Sequence, residues 1–403
     1  MKLTIEKSTP CGEIAAPASK SDAHRLLICA GLSDGKSVIS NIDFSQDIEA
    51  TIRCLKALGC KIKKSESSVE IDGIKNFDYV GTGIFDCGES GSTLRFFIPV
   101  CLLSGKKITF TGSKKLLSRP LDVYEEICKK QGIKIERTET EITFDGRLSA
   151  DTFNVKGNIS SQFISGLLFA LPLLKTESEI KILPPFESRP YVDMTLSTLK
   201  KFGVSAEFAD DLTLKISGSQ KYIPCSASVE GDWSNAAFFY AFKESGAPIS
   251  ITGTDENSLQ GDKICVEHMK NLKNGFSVID LADCPDLAPI LFAFAAKHSG
   301  GKFTNTARLR MKESDRITAM QQELRKVGAE LVADENEATV YPAKLTTPSE
   351  PISSHNDHRI AMSMAYLLTF TGGRIDGYEA VRKSWPDFFK ELKKTGVKIN
   401  YEA

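Results

Sequence analysis

One segment of the chain concentrates charged side chains in a way that could serve acid–base chemistry. The stretch RLRMKESDRI, residues 308–317, places six charges of both signs directly before a predicted helix: Arg308, Arg310, Lys312, Glu313, Asp315 and Arg316. A cluster of this kind is usually a solvated surface with local ion pairs. If it is buried, the same side chains supply an acid or base together with cations that hold an anion.

Hydroxyl side chains lie beside apolar helical runs in seven other places, and six of these also contain a Lys or Arg. These are residues 17–31, 87–97, 116–127, 158–171, 187–196, 355–366 and 381–389. A Ser or Thr before a helix caps its free N–H groups, which is a sufficient structural explanation for each place taken alone. Capping does not explain a Lys or Arg within one turn of the cap, because a cation opposes the dipole there. A bound phosphate or carboxylate reverses that cost, so the pattern favours a pocket for anionic ligands.

Motifs for several other chemistries are missing from the sequence. The chain contains neither GxxxxGK[ST] nor GxGxxG. The turn CGESGS lacks the second glycine of a nucleophile elbow. His355 and His358 form an HxxH pair, but no carboxylate cluster accompanies them as a metal site. We therefore expect an anion pocket of Arg, Lys and hydroxyl groups that holds no metal and needs no cofactor.

A repeated pattern indicates how the chain is organised. Six segments show basic residues on a short amphipathic helix, then a glycine, then alternating apolar residues. This order predicts a helix that ends at a left-handed glycine and leads into a strand. The intervals between the glycines, 73, 71, 72, 53 and 68 residues, suit compact α/β units, although similar helix ends could recur in any α/β protein. The glycines are Gly59, Gly132, Gly203, Gly275, Gly328 and Gly396.

Length and composition narrow the class of protein. A chain of 403 residues exceeds the size of most single cores, so six units predict two domains of three. The 51 basic residues nearly balance the 52 acidic ones, which argues against a nucleic-acid or membrane-surface binder. Ten cysteines without a CxxC pair suit a reducing compartment. With no signal-peptide pattern and no long apolar run, the sequence predicts a cytoplasmic protein without a membrane span.

The motifs taken together resemble the 5-enolpyruvylshikimate-3-phosphate (EPSP) synthase family of enolpyruvyl transferases. KSDAHR, ESGSTLR, SRP, SSQ, SRPY, PDLAP, RMKESDR, NDHR and RKSWPDFF occur in the family's order between residues 17 and 389. KESDR and NDHR in this order are specific, whereas SRP or SSQ alone carries no weight.

The resemblance implies a fold and a reaction. The fold is an α/β protein built as a two-domain inside-out α/β barrel of six βαβαββ units, three in each domain. One lobe would span 14–229 and the other 1–13 with 230–403, and the active site would lie in the cleft between them. The reaction moves the enolpyruvyl group of phosphoenolpyruvate to the 5-hydroxyl of shikimate 3-phosphate and releases phosphate. It belongs to the shikimate pathway, and these two metabolites would be the partners of a monomer.

The resemblance also assigns roles to residues. Asp286 would be the base at the reacting hydroxyl and Glu313 the acid that protonates the methylene carbon, with Lys20 and Lys312 as further catalytic groups. How these four divide the proton transfers stays open. Shikimate 3-phosphate would contact Lys20, Ser21, Arg25, Ser160, Ser161, Gln162, Ser188, Tyr191, Asp286 and Lys312. Phosphoenolpyruvate would contact Lys20, Gly91, Arg119, Gln162, Arg316, Arg359 and Lys383. A carboxyl that gives and then retrieves a proton needs a raised pKa, which we expect of Glu313.

Two positions depart from the family's pattern. The loop Glu89-Ser90-Gly91-Ser92 stands where the family often has Asn-Ala-Gly-Thr, so the response to glyphosate is undecided. Arg308 stands where a polar Asn or Glu is common, and we assign it no substrate contact.

Three other functions fit parts of the sequence. The sister enzyme that uses UDP-N-acetylglucosamine normally has a reactive Cys where this chain has Lys114, and Asn in place of Ser21. A non-catalytic anion-binding relative would not need Asp286 and Glu313 together. An RNA-end-processing enzyme of similar architecture would need a basic surface, which the balanced charge does not favour.

Overall fold

The structure, a computed structural model, describes residues 2–75 and 83–402. The chain divides into two compact units, which we call the terminal unit (Met1–Pro17 with Gly231–Ala403) and the central unit (Ala18–Glu230). Helices and strands alternate through both, which confirms the mixed α/β class. The expected boundaries at 13/14 and 229/230 are close to these divisions, and the assignment of the units as enolpyruvyl transferase lobes stays a prediction.

The helices of the described residues are mostly three to four turns long. The α-helices are α1 (Lys20–Leu32), α2 (Gln46–Leu58), α3 (Gly91–Leu102), α4 (Lys114–Leu117), α5 (Asp122–Gln131), α6 (Ser161–Ala170), α7 (Arg189–Lys201), α8 (Trp233–Glu244), α9 (Cys265–Asn274), α10 (Ala288–Lys297), α11 (Arg316–Lys326), α12 (His358–Thr371) and α13 (Phe388–Lys394). Short 3-10 helices lie at Leu171–Leu173, Gly261–Ile264, Pro285–Leu287, Ala307–Met311 and Tyr378–Lys383.

The strands are short and occur along the whole described chain. In the central unit they are β3 (Lys36–Ser40), β4 (Lys61–Lys64), β5 (Ser68–Asp72), β6 (Ile84–Asp86), β7 (Ile108–Thr111), β8 (Lys134–Arg137), β9 (Glu141–Asp145), β10 (Thr152–Lys156), β11 (Ser178–Leu183), β12 (Glu207–Asp210), β13 (Thr213–Ile216) and β14 (Ala227–Ser228). In the terminal unit they are β1 (Lys2–Ile5), β2 (Gly12–Ala15), β15 (Ile249–Thr252), β16 (Ser277–Asp280), β17 (Gly301–Thr304), β18 (Glu330–Ala333), β19 (Glu337–Tyr341), β20 (Ile352–Ser353), β21 (Gly373–Asp376) and β22 (Ile399–Glu402).

Five four-stranded sheets of the described chain share one topology. Their strand orders are β14-β3-β5-β4, β6-β7-β9-β8, β10-β11-β13-β12, β16-β17-β19-β18 and β20-β21-β1-β22. In each sheet the first two strands are parallel and the remaining neighbours are antiparallel. A further sheet contains only the parallel pair β2 and β15. In four of the sheets a helix connects the parallel strands, as parallel pairing requires, namely α3, α6, α10 or α12.

The helices fall into two groups that follow from their sequences. α1, α3, α6, α8, α10 and α12 are apolar on most faces and are buried along nearly their whole length. α2, α5, α7, α9 and α11 are amphipathic and bury one side. Each unit has its own hydrophobic core. In the part of the chain that the structure describes, no helix is long and apolar enough to cross a membrane.

Five of the six repeat glycines have the predicted left-handed backbone. Their φ angles are +111° at Gly59, +70° at Gly132, +74° at Gly203, +82° at Gly328 and +89° at Gly396. The prediction is wrong for Gly275, whose φ of 170° is extended backbone that any residue adopts. This glycine belongs to the loosest copy of the repeat, and the strand that follows it, β16, is the first strand of a new sheet.

The two kinds of glycine predict opposite results for the same substitution. An added Cβ has nothing within 4 Å at Gly132 or at Gly275, so only the backbone distinguishes them. We expect Gly132→Ala to lower the free energy of unfolding by about 1 kcal/mol, because a left-handed L-residue is strained. Gly275→Ala should be neutral or slightly stabilising, since alanine restricts the unfolded chain. Urea unfolding of both variants measures this difference, and equal losses would contradict it.

Candidate active site

Many of the predicted site residues lie in or beside the first turns of almost completely buried helices. These are α1, α3, α6, α10 and α12. A helix N-terminus offers free N–H groups and the positive end of the dipole, so these places favour anions. The residues concerned are Lys20, Ser21, Gly91, Ser160, Ser161, Gln162, Asp286 and Arg359.

In the terminal unit, three predicted cations converge on Asp286. This residue lies in the 3-10 helix before α10, and its Oδ1 accepts from Lys312 Nζ at 3.2 Å and from Arg316 Nη1 at 3.0 Å. Its Oδ2 accepts from Arg359 Nη2 at 3.1 Å, and its carbonyl oxygen accepts from Arg359 Nη1 at 3.0 Å. The predicted base and three of the predicted anion-binding residues therefore form one network.

Arg316 is the centre of this network and is 1% exposed. Its Nη2 donates to Glu313 Oε2 at 2.7 Å, and its Nε donates to Asp357 Oδ2 at 2.9 Å. Ser314 Oγ lies 3.1 Å from the same Asp357 oxygen. Arg310 and Asp315 remain partly exposed at the edge of the cluster. The segment 308–317 is therefore a buried ion-pair network with a polar rim, and a solvated surface is the wrong interpretation of it.

Burial and charge shift the pKa values in this network in opposite directions. Desolvation lowers the pKa of Lys312, although Asp286 opposes this shift. Desolvation also lowers the pKa of Arg316, but the charges of Asp357, Glu313 and Asp286 outweigh it and raise that pKa. Burial raises the pKa of Asp357, yet the charge of Arg316 dominates and lowers it. Arg316 and Asp357 are thus fixed as charged groups, whereas Lys312 is shifted toward giving up its proton.

Lys383 and Arg308 lie beside the network but have different partners. Lys383 is buried, and its Nζ donates to the carbonyl of Asn356 at 2.6 Å, next to the Asp357 cap of α12. Arg308 is also buried, and its guanidinium donates to the carbonyl of Ala282. This contact gives Arg308 a role in holding the chain before Asp286.

In the central unit, Arg25 links two of the other predicted residues. Its Nη1 donates to the Ser21 carbonyl at 2.6 Å and its Nη2 to the Tyr191 carbonyl at 2.8 Å. Its Nε donates to Thr195 Oγ1 at 2.9 Å, and burial lowers its pKa to about 10. Arg25 therefore connects the start of α1 to the first turns of α7, where Ser188 precedes the helix with a left-handed φ of 59°.

A second group in the central unit surrounds Gly91. A Cβ added at Gly91 would lie 2.7 Å from Arg119 Nη1 and 3.2 Å from Arg95 Nη1. Arg95 Nη1 donates to Gln162 Oε1 at 2.8 Å, and Gln162 Nε2 donates to Ser92 Oγ at 2.9 Å. Gly91, Arg119 and Gln162, which were all predicted to hold phosphoenolpyruvate, are thus brought together with two guanidinium groups.

Lys20, at the start of α1, forms an ion pair with a residue of α2. Its Nζ is 2.9 Å from Asp47 Oδ2 in the first turn of α2, and Asp47 accepts through its carbonyl oxygen from Thr93 Oγ1 at 3.5 Å. At the start of α6, the Ser160 hydroxyl accepts from the N–H of Gln162 at 3.3 Å. The place of Ser160, Ser161 and Ser188 in the site stays a prediction.

The two histidines of the HxxH pair, His355 and His358, lie in different surroundings. His355 Nε2 lies 2.8 Å from the buried Glu323, and His358 is fully packed on α12. Within residues 2–75 and 83–402, no three His, Cys, Asp or Glu side chains are grouped so that they could hold a metal ion. The expectation that the reaction needs no metal or cofactor stays a prediction.

Comparison with known proteins places the chain in a family. The family model for EPSP synthase (3-phosphoshikimate 1-carboxyvinyltransferase) matches residues 6–392. The chain is 42% identical over 410 residues to the 3-phosphoshikimate 1-carboxyvinyltransferase of Clostridium kluyveri, with 96% of each chain covered. It is 41% identical over 429 residues to that of Clostridioides difficile, with 99% and 98% covered. The chain belongs to the EPSP synthase family.

A solved EPSP synthase supports the same architecture. The structure of the enzyme from Acinetobacter baumannii superposes with a TM-score of 0.78 at 22% identity, with 100% of both chains covered. At this identity the likeness speaks for the fold alone. Membership in the EPSP synthase family favours an enzyme that uses shikimate 3-phosphate. It speaks against the other three functions considered from the sequence, namely the sister enzyme that uses a UDP-sugar, a non-catalytic relative and an RNA-end-processing enzyme.

Two residues of this EPSP synthase family member are important in the structure but were not assigned to the site from the sequence. Arg95 lies in the segment 87–97 and was given no role from the sequence. Its spacing of four residues from Gly91 nevertheless puts it on the same face of the helix. Asp357 lies in the NDHR motif but was given no role, and it caps α12 by accepting from the Arg359 N–H at 2.9 Å. Its second oxygen holds Arg316, which no local pattern could indicate because the two residues are far apart in sequence.

Proposed function

We propose that this protein is a 3-phosphoshikimate 1-carboxyvinyltransferase. It transfers the enolpyruvyl group of phosphoenolpyruvate to the 5-hydroxyl of shikimate 3-phosphate and releases phosphate, as a step of the shikimate pathway that leads to the aromatic amino acids. Family membership over residues 6–392 supports the assignment. The observation that carries it is the buried network in which Lys312, Arg316 and Arg359 surround Asp286 beside Glu313.

The network offers the groups that addition and elimination need. In the addition, the 5-hydroxyl loses its proton and its oxygen bonds to C2 of phosphoenolpyruvate, while C3 gains a proton. In the elimination, the C2–O bond to phosphate breaks, C3 loses a proton, and the C2=C3 double bond forms again. Asp286 is proposed as the base at the hydroxyl and Glu313 as the group that gives and retrieves the C3 proton. The lowered pKa of Lys312 suits a lysine that shares in proton transfer.

Arginine and lysine side chains are proposed to hold the anionic groups. Arg119 near Gly91, with Arg316 and Arg359, suits bidentate binding of the carboxylate and phosphate of phosphoenolpyruvate. Lys383 would add a compact charge where phosphate leaves. Shikimate 3-phosphate is proposed to contact Lys20, Ser21, Arg25, Ser160, Ser161, Gln162, Ser188, Tyr191, Asp286 and Lys312. Preorganised donors of this kind are worth about 3–4 kcal/mol each in a transition state.

We also propose the finer architecture expected from the resemblance, an inside-out α/β barrel of six βαβαββ units in lobes 14–229 and 1–13 with 230–403. Five four-stranded sheets with one pattern of parallel and antiparallel neighbours, and a sixth parallel pair, support it. A cytoplasmic location and a monomeric state are predictions that follow from the sequence.

The proposed function is tested by measuring phosphate release from phosphoenolpyruvate. We expect turnover when shikimate 3-phosphate is added and none when UDP-N-acetylglucosamine is added. Turnover with the UDP-sugar alone would transfer the assignment to the sister enzyme, and binding of both substrates without phosphate release would indicate a non-catalytic relative.

Gly91→Ala is expected to raise the KM for phosphoenolpyruvate by about 5- to 150-fold, because overpacking beside Arg119 costs ~1–3 kcal/mol. The added Cβ would lie 2.7 Å from the tip of a flexible side chain, so Arg119 can move and the fold should stay intact. Steady-state kinetics with a thermal melt measures both effects. Gly275→Ala, with nothing within 4 Å of its Cβ, is the control. An unchanged KM would place phosphoenolpyruvate away from Gly91.

A further inference from the structure

The first turn of α8 contains buried polar groups to which the sequence assigned no role. Ser234 lies in this turn after the Asp232 cap, and both side chains are buried. The preceding backbone is held by Gln260, whose Oε1 accepts from the Trp233 N–H at 3.0 Å. Asp262 follows two residues later in the 3-10 helix Gly261–Ile264 and is 2% exposed. Two separate segments of the terminal unit therefore meet at Ser234.

Ser234 connects Asp262 to one of the proposed substrate-binding arginines. Arg359 Nη2 donates to Ser234 Oγ at 3.0 Å. The Ser234 hydroxyl donates a hydrogen bond to Asp262 Oδ2. A hydroxyl has one proton, so giving it to Asp262 leaves only lone pairs facing Arg359. The carboxylate of Asp262 thus fixes Ser234 as an acceptor for the guanidinium group.

The other contacts of Arg359 lead to the proposed base. The same Nη2 also donates to Asp286 Oδ2 at 3.1 Å, and Nη1 donates to the Asp286 carbonyl at 3.0 Å. Because one nitrogen serves both Ser234 and Asp286, the direction of the Ser234 contact determines where the second N–H of that nitrogen points. A rotated Ser234 hydroxyl would turn its own proton toward Arg359 and push the guanidinium group out of this geometry.

The fold alone does not explain a carboxylate at this position. Burial, with the nearby charge of Asp286, raises the pKa of Asp262 to about 6. A carboxyl group with a raised pKa lowers the stability of the folded state above that pH, because the ionised form is buried at a cost. A destabilising charge beside reacting groups is more typical of a functional site than of a packing requirement.

We propose that Asp262 is a positioning residue of the transferase reaction, which holds the Arg359 guanidinium group against Asp286 through the hydroxyl of Ser234. The inference rests on the proposed function, in which Arg359 binds phosphoenolpyruvate. Asp262 itself touches neither the substrate nor the reacting atoms in this scheme.

A double-mutant cycle tests the connection. We expect Ser234→Ala and Asp262→Ala each to lower kcat/KM for phosphoenolpyruvate at least about tenfold, with a smaller change in the KM for shikimate 3-phosphate. The double variant should be no worse than Ser234→Ala, because the effect of Asp262 passes through that hydroxyl. Calorimetric titration of each variant with phosphoenolpyruvate should give the same order of affinities without requiring turnover.

Conservative variants separate positioning from a general loss of structure. Ser234→Thr keeps the hydroxyl and should retain most of the activity and the affinity. Asp262→Asn keeps the shape but offers an amide that can donate to Ser234, so it should lose activity as Asp262→Ala does. Ser363→Ala is the matched control, since Ser363 is a fully buried serine of α12 whose hydroxyl has no hydrogen-bond partner among the described residues. It should change neither kcat nor KM.

The possible outcomes lead to different conclusions. Additive losses in the double variant, or equal losses for both substrates that follow a lowered Tm, would overturn the positioning role. Normal kinetics and affinity in Asp262→Ala would do the same. If wild type releases no phosphate with shikimate 3-phosphate, the proposed function fails, and the phosphoenolpyruvate titrations still decide whether Asp262 and Ser234 act on Arg359.

Discussion

Glu313→Gln is expected to lower kcat by about 10²–10⁴-fold while the KM for either substrate changes little. The amide has nearly the same shape, and its oxygen can still accept from Arg316 Nη2, which is 2.7 Å from Glu313 Oε2. It cannot give a proton to C3 and take it back, so the loss falls on the chemical step. Steady-state kinetics with both substrates, together with single-turnover phosphate release, measures it.

The control for this variant is Glu335→Gln, which removes an exposed carboxylate of the same unit. It should leave kcat and both KM values unchanged. If Glu313→Gln raised both KM values as much as it lowered kcat, Glu313 would be a binding residue and the proposed acid would have to be another group.

Arg316→Met is expected to lower the free energy of unfolding by about 3–5 kcal/mol, because removing one partner of a buried ion pair leaves the others uncompensated. Arg316 is 1% exposed and holds Asp286, Glu313 and Asp357. Methionine fills a similar volume but supplies no donor. Urea unfolding at pH 7 measures the loss, and turnover should fall below detection because the proposed base and acid lose their common partner.

The effect of Arg316→Met should depend on pH in one direction. The pKa of Asp357 is lowered in the folded protein, so its ion pair contributes fully above the ordinary value of 3.8 and is lost as the pH falls through the lowered value. The difference in stability between wild type and variant should therefore be largest near neutral pH and shrink on acidification.

Arg310→Met is the matched control for this second variant. Arg310 belongs to the same charged segment but is partly exposed and lies 3.7 Å from Asp315. A surface pair of this kind contributes about 0–1 kcal/mol, so its loss should be small. Equal unfolding midpoints for Arg316→Met and wild type would show that the network does not support the fold.

The part of the fold that the sequence predicted is the repeated unit in which a helix ends at a glycine and leads into a strand. A glycine after a basic helix end fixes a left-handed turn, and Gly59, Gly132 and Gly203 have the positive φ that this predicts. Gly275 belongs to the loosest copy of the pattern and has an extended backbone. The local signal therefore predicts the helix end where the pattern is well matched and fails where it is not.

The sequence predicted which kinds of side chain the site contains. It did not predict which of these side chains contact one another. The charges of the segment 308–317 pointed to an acid and an anion clamp, and the structure joins Lys312, Glu313 and Arg316 to Asp286. Asp262 could not be found in this way. Its position depends on a hydroxyl of α8 and a guanidinium group of α12, and no sequence spacing encodes contacts between such distant segments.

The contacts of Asp286 have a consequence for ligand selectivity. Its carboxylate, with Glu313 and Asp357, matches the three positive charges of Lys312, Arg316 and Arg359 one for one. A ligand that binds these three cations must therefore compete with the Asp286 carboxylate, which is part of the chain and is always present beside them. Chloride or another small monovalent ion is a poor competitor for such a tethered group. If these side chains bind the substrate as proposed, only a molecule that presents several negative oxygens in the right places would gain enough to displace the Asp286 carboxylate, and we expect small monovalent anions to bind poorly.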